Sequence, residues 1–129
     1  MIVLDTHVVI WLAEVPELLS AAATKAIKGE RQSGVVAISD MTLLELARVI
    51  SGGKVGVRTS LPAFLRQVER TFTILPVTGA IAELTMAFSS AYPRDPVDRV
   101  IGATALANSC KLVTKDESIR RSGEVDCVW

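Results

Sequence analysis

Short β-branched runs alternate along this chain with longer stretches of helical spacing. Met1-Ile-Val-Leu4, Val35-Val-Ala-Ile38, Thr73-Ile-Leu-Pro-Val77, Leu112-Val-Thr114 and Val125–Trp129 read as strands, with Pro76 limiting the third. Between them, apolar positions recur every three or four residues. A helix is predicted over Glu17–Lys28, behind Pro16 at a plausible helix start. A second runs from Ser39, an N-cap candidate, turns Leu43, Leu46, Ala47 and Ile50 to one side, and stops at Gly52-Gly53. Leu61–Thr71 and Gly79–Ala91 follow, the latter closed by Tyr92-Pro93. Asp95-Pro-Val-Asp98 opens the strongest helical pattern, which continues through Ile101, Ala105 and Leu106 to Ser109. Asp116–Arg121 is a short last helix.

The strand candidates are apolar throughout rather than alternating, which implies burial on both faces. Strands separated by helices imply crossover connections and a parallel sheet. The expected fold class is α/β, a three-layer α/β/α sandwich with a short parallel sheet of four to five strands. No internal repeat, low-complexity stretch or linker breaks the pattern, so residues 1–129 are expected to form a single domain.

Composition narrows the function classes. Half of the residues are apolar and 22% are charged, which excludes disorder as the default. Fourteen Lys plus Arg balance fourteen Asp plus Glu. Bulk electrostatics therefore cannot hold nucleic acid, and a polyanion would need a local basic rim. The longest apolar run, Val8 to Ala13, is six residues, far from the ~20 that a spanning helix needs. No Lys or Arg precedes Lys25, so a secretory n-region is not expected. Cys110 and Cys127 form no CxxC and have one His for company, which disfavours zinc and a disulfide framework. A cytoplasmic protein is the expectation. A mean hydropathy of +0.40 is high for a chain of this length and suggests a homodimer or a partner-binding groove.

In a parallel sheet, ligands sit where the carboxyl ends of the strands meet the following helices. Asp5 directly follows the first strand, and Asp116 follows the fourth after one Lys. Glu45 lies about two turns into the helix after the second strand, and Asp98 in the first turn of its own helix, with Asp95 just ahead. Two carboxylates ~5 Å apart repel by roughly 3 kcal/mol at an effective dielectric of 20. A fold tolerates several together if a divalent cation belongs there, and oxygen-only donors favour Mg²⁺ or Mn²⁺. Phosphodiester hydrolysis is the chemistry such a site suggests.

Each acid also has a structural alternative. Asp95, Asp98 and Asp116 fit N-cap arrangements. Glu45 could close a capping box with Thr42 or pair with Arg48. Asp5 is hardest to explain by local structure, because a charge ending a buried strand gains little there. Thr6 and Thr114 each neighbour an acid and could orient a carboxylate. His7 reads as a packing or surface residue and Trp11 as core. GxSxG, GxxxxGK[ST] and GxGxxG are all missing.

Four segments carry a family resemblance. Leu4-Asp5-Thr6-His7 with Trp11-Leu12 resembles the opening of PIN-domain proteins of the VapC toxin type. Thr42-Leu-Leu-Glu45-Leu-Ala47, Arg94-Asp-Pro-Val-Asp98-Arg99 and Leu112-Val-Thr-Lys-Asp116 are similar to the family's second, third and fourth acidic motifs, in family order. The resemblance implies a metal-dependent ribonuclease, the toxin of a toxin–antitoxin pair. Its acidic quartet falls on Asp5, Glu45, Asp98 and Asp116, with Mg²⁺ or Mn²⁺ as cofactor and RNA and a cognate antitoxin as partners. Val97 stands where a larger apolar residue is common in the family, away from any expected ligand. Arg94, Arg99, Lys115, Arg120, Arg121, Arg48, Lys54 and Arg58 cluster around the motifs and are candidates for the basic rim. Two other readings stay open at this stage. A receiver-like signalling domain also has acids at strand ends, but it needs an acidic pair after the first strand and a late Lys-Pro, both missing here. A catalytically idle PIN-like scaffold that binds RNA or protein is the second.

Overall fold

The computed structural model describes residues 1–129, and five short strands run through its centre. In chain order the elements are β1 (Ile2–Leu4), α1 (Thr6–Glu14), a 3-10 turn (Pro16–Leu18), α2 (Ala21–Ser33), β2 (Val36–Ser39) and α3 (Asp40–Ser51). Then come α4 (Leu61–Thr71), β3 (Thr73–Leu75), α5 (Gly79–Ala87), α6 (Pro96–Ala107), β4 (Lys111–Val113), α7 (Glu117–Ser122) and β5 (Cys127–Val128). All strand pairs are parallel, in the order β3-β2-β1-β4-β5. The chain builds outward from β1 to β3, then returns to the other side of β1 for β4. The sheet therefore has a switch point between β1 and β4, where a crevice opens at the carboxyl ends.

The expected three layers are present, and the apolar strands explain them. Ile2, Leu4, Val36, Ile38 and Val113 face one cluster, packed with Val8, Val9, Ala23, Ile27, Leu46, Phe64 and Val68 of α1 to α4. Their neighbours Val3, Ala37 and Leu112 face the other, packed with Ile81, Phe88, Tyr92, Ile101, Ala105 and Ile119. Alternate residues thus fill opposite cores, which is why every position in β1 and β2 had to be uncharged and why both strands are buried throughout.

Several boundaries move. The helix expected from Glu17 begins only at Ala21, because Ser20 accepts the Ala23 N–H at 3.0 Å and the chain before it closes as a 3-10 turn. The helix expected to reach Ala91 ends at Ala87, where Phe88 turns extended and stacks on Tyr92 at 3.9 Å between ring centroids. The last strand is two residues rather than five. Trp11, expected in the core, is only half-buried and packs at its edge. No helix is long and apolar enough to cross a membrane.

Candidate active site

Asp5 ends β1 by capping α1: its Oδ1 accepts the Thr6 N–H at 2.7 Å. The residue is 5% exposed, and burying a carboxylate demands compensating donors. Thr114, fully buried just past β4, supplies one by donating from its hydroxyl to Asp5 Oδ2 at 2.7 Å. The parallel register of Leu4 with Val113 places these two residues side by side. His7 Nδ1 lies 3.5 Å from the same Oδ2, while its Nε2 accepts the Lys115 N–H at 3.0 Å. His7 thus ties the loop after β4 to the first turn of α1.

The other acids arrive from three helices. Thr6 donates its hydroxyl to Glu45 Oε2 at 2.6 Å, so α1 fixes a carboxylate borne by α3. Arg48 holds Glu45 Oε1 at 3.7 Å, the i,i+3 pair the spacing allows. A capping box between Thr42 and Glu45 does not form; Ser39 caps α3 by accepting the Met41 N–H, and the buried Thr42 hydroxyl has no partner. Asp116 caps α7 by accepting the Ile119 N–H at 2.9 Å, and its own N–H donates to Thr114 Oγ1 at 3.0 Å. One chain of hydrogen bonds consequently runs Glu45–Thr6–Asp5–Thr114–Asp116. Capping and site-building prove to be the same geometry for Asp5 and Asp116.

Asp98 stands outside that chain. Asp95 caps α6, accepting the N–H groups of Val97 at 2.9 Å and Asp98 at 3.2 Å, which sets Asp98 on the first turn. Burial pushes the Asp98 carboxyl up to about 7, and the charges of Asp5, Asp95, Glu45 and Asp116 push the same way. The charges that act on Asp98 thus come from the other three candidate acids and from Asp95. Tyr92 supports the position from beneath by donating its hydroxyl to the Asp98 carbonyl at 3.0 Å. The close approach requires Gly102, since a Cβ there would meet the Tyr92 hydroxyl.

No three Asp, Glu, His or Cys side chains form a ready metal-holding group. The donor set nevertheless suits a hard dication: it is carboxylate-only, partly buried, and offers Asp98 no balancing positive charge. Cys110 and Cys127 are free and half-buried, and burial raises the Cys127 thiol to about 11.

The basic rim is smaller than the sequence suggests. Arg99 turns inward, donating to the carbonyls of Pro93 at 2.9 Å and Thr85 at 3.0 Å. Arg58 holds Glu14 Oε2 at 3.0 Å, and Arg121 pairs with Glu117 at 3.0 Å. Arg94, Lys115, Arg120 and Lys54 are exposed and make no ion pair. His7 is the site residue that sequence reasoning assigned to packing or surface. Its partner Lys115 is 108 positions away, and only the β1–β4 pairing reveals the contact.

Comparison with known proteins agrees with this geometry. Residues 2–125 match the family model described as the PIN domain. Ribonuclease VapC22 of Mycobacterium tuberculosis is 34% identical over 119 residues, covering 92% of this chain and 89% of that protein. The crystal structure of VapBC2 from Rickettsia felis, bound to a promoter DNA fragment, superposes with a TM-score of 0.75 at 16% identity, over 98% of this chain and 97% of that one. VapBC-1 from nontypeable Haemophilus influenzae gives 0.73 at 15% identity, over 98% and 96%. With the acidic motifs in order at the switch point of this sheet, the chain belongs to the PIN domain family.

Proposed function

We propose that this single-domain protein is an endoribonuclease and the toxin of a toxin–antitoxin pair, dependent on Mg²⁺ or Mn²⁺. The observation that carries the reading is the hydrogen-bonded chain Glu45–Thr6–Asp5–Thr114–Asp116 at the carboxyl ends of β1 and β4, with Asp98 beside it on the first turn of α6. The ribonuclease name of the 34%-identical relative and the toxin–antitoxin complexes among the structural neighbours support the same conclusion.

Asp5 and Asp98 would hold the cation, with Glu45 and Asp116 completing its surroundings. When bound, a divalent ion supplies Lewis-acid polarisation of phosphate and offsets charge that builds at the scissile group. Thr114 and Thr6 aim the Asp5 and Glu45 side chains, because each hydroxyl donates a hydrogen bond to one carboxylate oxygen. An acid of the quartet would orient the attacking water; burial and the neighbouring acids raise the Asp98 carboxyl to about 7 while no cation is bound. Arg94, Lys115 and Arg120 offer the exposed cations nearest the motifs for the RNA backbone.

The test is cleavage of RNA by Asp5→Asn and Asp98→Asn variants in Mg²⁺. Each should lose its metal-dependent activity while keeping the fold by circular dichroism. Full activity in either variant overturns the assignment.

A further inference from the structure

We infer that His7, Trp11 and Trp129, with Lys115, form a stacking platform for one unpaired nucleobase of the RNA, beside the acidic site. The inference rests on the ribonuclease reading and deepens it by naming how this chain grips the RNA: at one unpaired base flanking the cut.

His7 meets both tryptophans edge to face, and the two tryptophans are tilted against each other. His7 and Trp11 centroids are 4.9 Å apart at 61°, Trp11 and Trp129 are 5.8 Å apart at 55°, and His7 and Trp129 are 6.3 Å apart at 66°. None of the rings is fully buried. Lys115 Nζ lies 5.4 Å over the Trp11 ring. Edge-to-face and tilted packing leaves ring faces that no other ring covers, and an open pocket of about 280 Å³ is lined here by His7, Trp11, Lys115 and Asp116.

The backbone brings this cluster to the carboxylates. Thr114 N–H donates to the Val128 carbonyl at 3.3 Å, so Trp129 emerges at the sheet edge that carries Thr114 and Lys115. His7 touches both Asp5 and Lys115, and Asp116 is shared by the pocket and the acidic chain. A phosphate drawn to a cation that the carboxylates would hold would leave its neighbouring base beside an aromatic wall with one ammonium. Bases stack on such walls whatever their identity, provided they are unpaired. The balanced net charge makes an uncharged anchor of this kind useful, because few cations are free to grip phosphate.

The experiment measures kcat and KM for a short single-stranded oligoribonucleotide with a mapped cut. Two further oligonucleotides carry an abasic nucleotide on one or the other side of the scissile phosphate. One abasic substrate should raise KM for the unmodified protein roughly five- to a hundred-fold, the range of one lost stacking contact, with most of the loss in KM rather than kcat. Trp129→Leu should lose a similar factor on the intact substrate and little more on that abasic one, and Trp129→Phe should recover most of it. Binding of the intact oligonucleotide should quench tryptophan fluorescence. If both abasic substrates behave like the intact one, or the losses simply multiply, the platform is wrong. Quenching without cleavage in Mg²⁺ or Mn²⁺ would sink the ribonuclease reading and keep the platform. Cleavage with unaltered KM in every arm would do the reverse.

Discussion

Asp98 is where the chemistry of single residues is most exposed to test. Unfolded, its carboxyl has the ordinary value of 3.8; folded, it sits at about 7. The fold therefore holds the proton more tightly than the unfolded chain. Its contribution to stability is full below about pH 4 and is lost as pH rises through about 7. In EDTA the melting temperature should fall as pH climbs through that window, and Asp98→Asn should flatten this component. Mg²⁺ should restore stability most at the alkaline end, where the ionised carboxylates are available to bind it. A wild-type melting curve that did not respond to Asp98→Asn across this range would refute the shift. Thr114 offers a second check, since its hydroxyl serves Asp5 and Asp116 together. Thr114→Val should cut activity on the order of ten- to a hundred-fold, as loss of a ligand-orienting partner does, and Thr114→Ser should restore it.

At the level of elements, α6 does two jobs that conflict unless one residue is small. It must present Asp98 to the site and also pack against Tyr92, whose hydroxyl reaches the Asp98 carbonyl. Gly102 resolves the conflict. Alanine would gain about 1 kcal/mol of helix propensity at that position. Its Cβ, however, would collide with the Tyr92 ring and lie 3.2 Å from Phe88, in a pair already stacked and buried. Overpacking of this kind costs about 1–3 kcal/mol, so Gly102→Ala should be net destabilising in urea melts and should impair cleavage by tilting Asp98. Tyr92→Phe, which removes only the hydroxyl, should cost about 1 kcal/mol. A stabilised Gly102→Ala would show that α6 has room the packing denies.

For the whole molecule, zero net charge and an inward-turned Arg99 leave few exposed cations near the site. If Arg94, Lys115 and Arg120 each neutralise one phosphate, log affinity for single-stranded RNA should fall against log salt with a slope of about −2. A flat response would remove them from the interface. Met86 at 79% and Leu44 at 62% are the most exposed large apolar side chains. They agree with the surplus hydropathy and favour covered faces in a homodimer or an antitoxin complex, which sedimentation with and without the co-expressed partner would resolve.

The amino-acid pattern alone was enough for the α/β/α architecture, because a strand buried on both faces cannot carry a charge and a helix cannot hide its period. It also offered Asp5, Asp98 and Asp116 as candidates, since strand ends and helix starts are where a parallel sheet sends its acids, and the family resemblance added Glu45 to them from inside α3. It misplaced helix ends, where Ser20 and Phe88 decide by contacts a few residues away. It also read Arg99 as surface, though three distant carbonyls bind its guanidinium. That the Thr114 hydroxyl aims Asp5, and that His7 joins the site, depended on the β1–β4 pairing, and that Thr6 aims Glu45 depended on α1 meeting α3. Local periodicity encodes which face of an element is buried. It carries nothing about which two chain segments, more than a hundred residues apart, will share a hydrogen bond.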